Sequence, residues 1–187
     1  MKRILIVVIL FSLFCKFLPA QEINENAKKY LNILKTKPTP GFMFDRFYGA
    51  WMESSDTKAL EEFLKKASVD APSSENFLLL TFYYQKEGQI NQALGVFNSI
   101  DNAKLLTGEV LFYRAKLESN ALNFADAIKN IDTAISLPLK EDLKQKLLKL
   151  KSRFLNNPLI ASGLSIHIVL TVIRIPALQF HHLQPVC

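Results

Sequence analysis

Three histidines, two cysteines and 17 carboxylates are the side chains through which this chain could serve as acid, base, nucleophile or metal ligand. Their placement speaks against each role. His167, His181 and His182 all stand near the C-terminus, and residues 21–166 hold no histidine. A serine or cysteine nucleophile needs a base beside it, and that span has no imidazole to supply one. No G-x-S-x-G element and no phosphate-binding glycine loop occurs. Metal ligation needs donors that converge. His181 and His182 are adjacent, so they do not share a face on a regular element, and Cys187 is the last residue. The paired carboxylates Glu61–Glu62 and Glu141–Asp142 fall on helical positions turned toward solvent. The expectation is a protein that is not an enzyme, with no metal and no cofactor.

Recognition by a surface is the remaining role, and the rest of the sequence shows how such a surface is built. Lys2 and Arg3 precede an apolar run from Ile4 to Phe14, followed by Leu18-Pro19-Ala20. A basic start, a short apolar core and a small boundary residue read as a secretory signal peptide over 1–20, cleaved near Ala20. The run is too short to span a bilayer comfortably. Phe14 is bulky where a lipoprotein signal carries a small residue before its cysteine, so Cys15 is not read as lipid-attached. The chain is therefore expected to be exported, periplasmic or secreted from a bacterium. Cleavage leaves one cysteine, Cys187, so no internal disulfide can form and packing alone must hold the domain.

The mature chain keeps 20 basic and 17 acidic side chains, a net charge of +3. Residues 21–142 carry 14 basic and 17 acidic groups, whereas residues 143–187 carry six basic groups and no acid. A nucleic-acid binder spreads its basic groups over a binding face. Here they are confined to one end, and together with export this excludes nucleic acid as the expected partner.

Helical periodicity organises the middle of the chain. Within residues 21–39, Ile23, Ala27, Tyr30, Leu31 and Leu34 recur at spacings of three and four, and Pro38 and Pro40 end that helix. From residue 40 the pattern repeats. Ala59-Leu60-x-x-Phe63 returns as Ala93-Leu94-x-x-Phe97 and as Ala127-Ile128-x-x-Ile131, with 34 residues between copies. Upstream of each comes another apolar helix, over 41–53, 75–87 and 109–120. Ser55 or Asp56, and Asn123, suit the N-caps of the second helices, and Gly88 suits a helix end. A hairpin of two such helices cannot bury both apolar faces, so copies stack. The fold class expected is all-α: antiparallel helical hairpins stacked as a short right-handed α-solenoid, about three repeats plus flanking helices.

These residues resemble the tetratricopeptide repeat family, with units at 40–73, 74–107 and 108–141. In the second unit Leu80, Tyr84, Gly88, Ala93 and Phe97 stand where the family favours those types; the third agrees at Ala115, Ala127 and Ala134, with Pro138 near the usual terminal proline. The first keeps Ala59 and Phe63. Departures are Met43, Phe77 and Leu111 in place of tryptophan, and Phe47 and Thr81 in place of glycine. The resemblance implies a concave groove lined by the first helix of each unit, which assigns partner binding to Phe44, Tyr48, Trp51, Leu78, Phe82, Gln85, Lys86, Phe112, Lys116 and Asn120. Aromatic side chains there would anchor a peptide or protein and polar ones would set its register. The alternative for Phe44, Tyr48 and Trp51 is that the helix within 21–39 covers them.

Residues 142–156 read as a capping helix, with Leu143, Leu147, Leu150 and Phe154 inward and Lys144, Lys149, Lys151 and Arg153 outward. Its basic surface offers a second reading, contact with anionic lipid or an acidic partner. The segment 157–187 is apolar, and from Leu159 onward it has no Asp, Glu or Lys. Three readings compete for it: a membrane or interface segment interrupted by Arg174 and Pro176, a segment packed on the repeats, or a departure from the proper reading frame near Asn156-Asn157. The abrupt change in composition favours the last. The function expected is an exported helical-repeat scaffold binding a peptide or protein. The alternatives are the front end of a larger envelope protein or enzyme, and a membrane-associated assembly subunit held by its tail.

Overall fold

A computed structural model describes residues 23–156, which form eight α-helices and one short 3-10 turn, with no strand among them. The helices are α1 (Glu25–Thr36), α2 (Phe42–Met52), α3 (Thr57–Asp70), α4 (Ser74–Lys86), α5 (Ile90–Asn98), α6 (Gly108–Asn120), α7 (Phe124–Ile135) and α8 (Glu141–Leu155). Neighbouring helices pack on one another, so the all-α class expected from periodicity is observed. The segments read as a signal peptide (1–20) and as a tail (157–187) lie outside the described residues.

Local chemistry sets the helix ends. The first turn of a helix leaves backbone N–H groups unpaired, and a short polar side chain satisfies one of them. Asn24 accepts from the Asn26 amide at 2.8 Å, Asp56 from Ala59 at 2.8 Å, Ser73 from Asn76 at 3.2 Å and Thr107 from Val110 at 3.4 Å. Of the two caps considered for α3, Asp56 is the one used. Asn123 precedes α7 without capping it, because its Nδ2 donates to Glu118 Oε2 at 2.9 Å instead.

The same corner closes two helices 34 residues apart. After α4 the Gly88 amide donates to Gln85 O at 3.2 Å and the Gln89 amide to Tyr84 O at 2.8 Å. After α6 the Leu122 amide donates to Ser119 O at 3.0 Å and the Asn123 amide to Glu118 O at 2.8 Å. Both are Schellman closures, which place their central residue in the left-handed region. Gly88 has φ +72° and Leu122 has φ +63°, the latter a conformation that costs a residue with a Cβ.

The described residues divide into two compact units between Val96 and Phe97, a point inside α5. In the first, α4 is the central helix. Asn76 to Tyr84 are buried without interruption, as befits a helix apolar on every side. α1 and α3 pack against it, and Phe44 of α2 meets Phe82 edge to face at 5.9 Å between ring centres. Two polar ties fix its register with α3. The Asn76 amide nitrogen donates to Ala67 O at 3.1 Å and Ala71 O at 2.7 Å, and Tyr83 Oη donates to Thr57 O at 3.0 Å.

The closest helix pairs in this unit are α1 with α2 and α3 with α4, whereas the backbones of α2 and α3 stand farther apart. Side-chain volume accounts for this. Fully buried Phe47 occupies the position where the family has glycine, and Trp51 stacks on Phe63 at 4.9 Å between ring centres, so large rings separate the two helices. Ala59 is only half-buried, and its neighbour Leu60 is fully buried in its place.

In the second unit α6 and α7 approach closely, because Ala115, Ala127 and Ala134 are small and fully buried. Leu111, Ile131, Leu143, Leu147 and Phe154 complete this core, with α8 packed on α7 and α6. Gly108 begins α6 where a Cβ would collide with Leu139 Cδ2, so glycine lets that leucine close over the helix start.

Candidate functional site

The residues assigned to a groove separate by burial. Phe44, Trp51, Leu78 and Phe82 lie in the core of the first unit. Phe44 and Trp51 each pack edge-on against Phe47, at 5.8 and 6.0 Å between ring centres. α1 packs on both α2 and α4, and these four side chains have almost no exposed surface with which to meet a partner. They act instead by fixing the positions of α2 and α4. The indole N–H of Trp51 is buried without a hydrogen-bond acceptor among the described residues.

Tyr48, Gln85 and Lys86 remain at the surface, and the structure joins them to two residues that periodicity did not select. Lys86 Nζ lies 2.7 Å from Asp45 Oδ1 and 5.0 Å from the centre of the Tyr48 ring. Tyr48 Oη donates to Glu87 Oε1 at 2.8 Å. Burial first, and the Glu87 carboxylate second, push the Tyr48 hydroxyl up to about 12, so it is a fixed donor at neutral pH. The result is a clamp of one cation, two carboxylates and an aromatic edge, held between α2 and the end of α4. It presents donors and acceptors in fixed positions and has no proton poised for transfer.

In the second unit Phe112, Lys116 and Asn120 follow one another at intervals of four along α6 and so form one stripe. Phe112 is half-buried, and Lys116 and Asn120 are exposed. Lys116 Nζ sits 5.7 Å from the Phe112 ring centre and 5.9 Å from that of Tyr113, a cation held over two aromatic faces. Burial, then the Glu109 charge, raise the Tyr113 pKa above its ordinary value. Beside the stripe Arg114 donates to Asn98 Oδ1 at 3.0 Å and lies 3.9 Å from buried Glu118.

Searches against protein-family models, curated proteins and solved structures find no match. The chemistry of the two patches therefore rests on their own geometry.

Of the paired carboxylates, Glu62, Glu141 and Asp142 are exposed as expected, but Glu61 is half-buried and engaged. It accepts from Tyr84 Oη at 3.0 Å and pairs with Lys65 at 2.6 Å. The Lys65 hydrogen bond holds its carboxyl below the usual range, with a smaller push from Tyr84 in the same direction. A carboxylate tuned this way is a structural anion, because general acid catalysis calls for the opposite shift. Among the described residues no three His, Cys, Asp or Glu side chains converge. The three histidines and both cysteines fall outside those residues.

Asp45 and Glu87 escape a reading by periodicity because neither belongs to an apolar pattern. The available signal is their complementarity to Lys86 and Tyr48, which only the packing of α2 against α4 brings within reach.

Proposed function

We infer that the chain is an exported, tetratricopeptide-like repeat scaffold that binds a peptide or protein through exposed side chains of its first helices. The observation that carries this reading is the recurrence of one exposed position. Lys86 and Asn120 stand 34 residues apart, each closing its helix just before the same Schellman corner. A repeat that returns the same surface position in successive helices offers a partner regularly spaced contacts. Around Lys86 those contacts are Tyr48, Gln85, Asp45 and Glu87; around Asn120 they are Lys116 and the edge of Phe112. Stacking of the repeats into one short solenoid belongs to the same proposal and rests on the sequence spacing. Export rests on the pattern of residues 1–20.

The test is capture of a partner from the producing cell by tagged protein carrying Lys86→Glu, Lys116→Glu and Asn120→Ala together. All three side chains are exposed, so helicity should be unchanged while the co-purifying partner falls at least tenfold. Unchanged capture by a folded variant would remove these residues from the binding surface.

A further inference from the structure

We propose that the outward face of α8 docks on an anionic lipid surface. Leu148 and Leu155 are exposed large apolar side chains, seven residues and thus two turns apart, which puts them on one stripe. Lys144 continues that stripe one turn earlier, and exposed Lys149 and Arg153 lie farther round the helix. Among the described residues, Lys144, Lys149 and Arg153 take part in no ion pair, in contrast to Lys146, held by Asp142 at 3.4 Å, and Lys151, held by Asp132 at 2.5 Å. The acids on this helix are confined to its first turn, where Glu141 accepts from Gln145 Nε2 at 2.6 Å and Asp142 takes Lys146. The opposite face, Leu143, Leu147 and Phe154, is buried against α6 and α7.

A polar cap needs only charge on its outer face, and exposed leucines set among cations go beyond that need. Cations attract phosphate headgroups, and flanking apolar side chains enter the headgroup boundary. The sequence C-terminal to α8 selects the occupant. Residues 157–187 add a further arginine, no acid and a long apolar content, so the charge that would repel an anionic bilayer is missing from residue 143 to the end. An acidic protein would match the cations and leave the leucines and this continuation without a role. None of the described helices is long and apolar enough to cross a membrane, so α8 would lie on the surface.

The experiment is flotation of the full chain with phosphatidylglycerol/phosphatidylcholine vesicles and with phosphatidylcholine vesicles alone. Binding is expected to the anionic vesicles only, and to weaken from about 0.1 to about 0.5 M salt, values chosen to span the screening range. The triple variant Lys144→Glu, Lys149→Glu, Arg153→Glu should bind more than about tenfold more weakly, since each cation near an anionic surface is worth roughly fivefold. Leu148→Ser with Leu155→Ser should weaken binding at every salt concentration. Far-UV circular dichroism confirms that the variants fold. Equal binding to both vesicle types overturns the proposal. So does a triple variant that still floats, which would assign the affinity to residues 157–187. A triple variant that loses binding to polyglutamate but keeps vesicle binding would make α8 a site for an acidic protein and overturn it as well.

Discussion

Gly88 and Leu122 occupy the same corner one repeat apart, and exchanging their chemistry measures that corner directly. A Cβ added at Gly88 meets nothing within 4 Å, so Gly88→Ala changes backbone energy alone. Holding a Cβ in the left-handed region costs about 1–2 kcal/mol. Removing glycine's freedom in the unfolded chain returns about 0.4–1 kcal/mol. The net expectation is a loss of about 1 kcal/mol, a fall in Tm of roughly 3–5 °C for a chain of this size. At Leu122 the native side chain already bears the strain, and it is 56% exposed. Leu122→Ala keeps the strain and gives up a partly buried side chain, costing about 1 kcal/mol. Leu122→Gly gives up the same side chain but relieves the strain, so it should be about 1 kcal/mol more stable than the alanine variant and near the parent. Urea unfolding followed by circular dichroism resolves these differences. A neutral Gly88→Ala, together with glycine and alanine variants of equal stability at 122, would refute a left-handed corner at both positions.

Other perturbations test separate parts of the structure. Asn76→Ala leaves the Ala71 carbonyl without its side-chain donor and removes one of two donors to Ala67, so stability should fall by about 2 kcal/mol in chemical denaturation. Glu61 is held below its ordinary pKa of 4.5, chiefly by Lys65, so its ionised form favours the folded state. That contribution is complete above about pH 4.5 and is lost as pH falls through the lower folded value. Glu61→Gln should therefore flatten the acid limb of a Tm-against-pH curve and leave its alkaline limb unchanged; an unaltered acid limb would show that Glu61 does not carry it. Export and cleavage near Ala20 predict that the mature protein begins at Gln21, which an intact-mass measurement on the exported fraction reads directly; a chain retaining residues 1–20 there would contradict it.

The helices were legible in the sequence because each signal is local. The three- and four-residue spacing of Ala27, Leu31 and Leu34 marks a buried stripe, Asp56 caps α3, and Gly88 supplies the left-handed corner. The groove residues were less legible because they depend on which helices surround α4. Phe77, Leu78, Leu79, Leu80, Phe82, Tyr83 and Tyr84 leave this helix no polar face, and that is the signature of a central helix. Transferring a family's exposed positions onto it placed Leu78 and Phe82 on a surface they do not reach. Ala59 shows the same limit. The spacing that unites it with Ala93 and Ala127 is real, yet bulky Phe47 and Trp51 keep α3 from close approach to α2, so Leu60 takes the buried position. Ties such as Tyr48 to Glu87 and Asn76 to Ala71 join separate helices through polar side chains, and hydrophobic periodicity carries no information about them.

The central claim is that exposed positions on the first helices of this scaffold meet a partner. Its most direct test is site-specific photo-cross-linking in the producing cell, with the reactive amino acid placed in turn at Gln85, Lys116 and Asn120, and at Lys58 and Lys129 on the exposed surfaces of α3 and α7 as controls. The account predicts one discrete cross-linked partner from the first three positions and none from the controls. Cross-links at Lys58 and Lys129 with none at Gln85, Lys116 or Asn120 would contradict it.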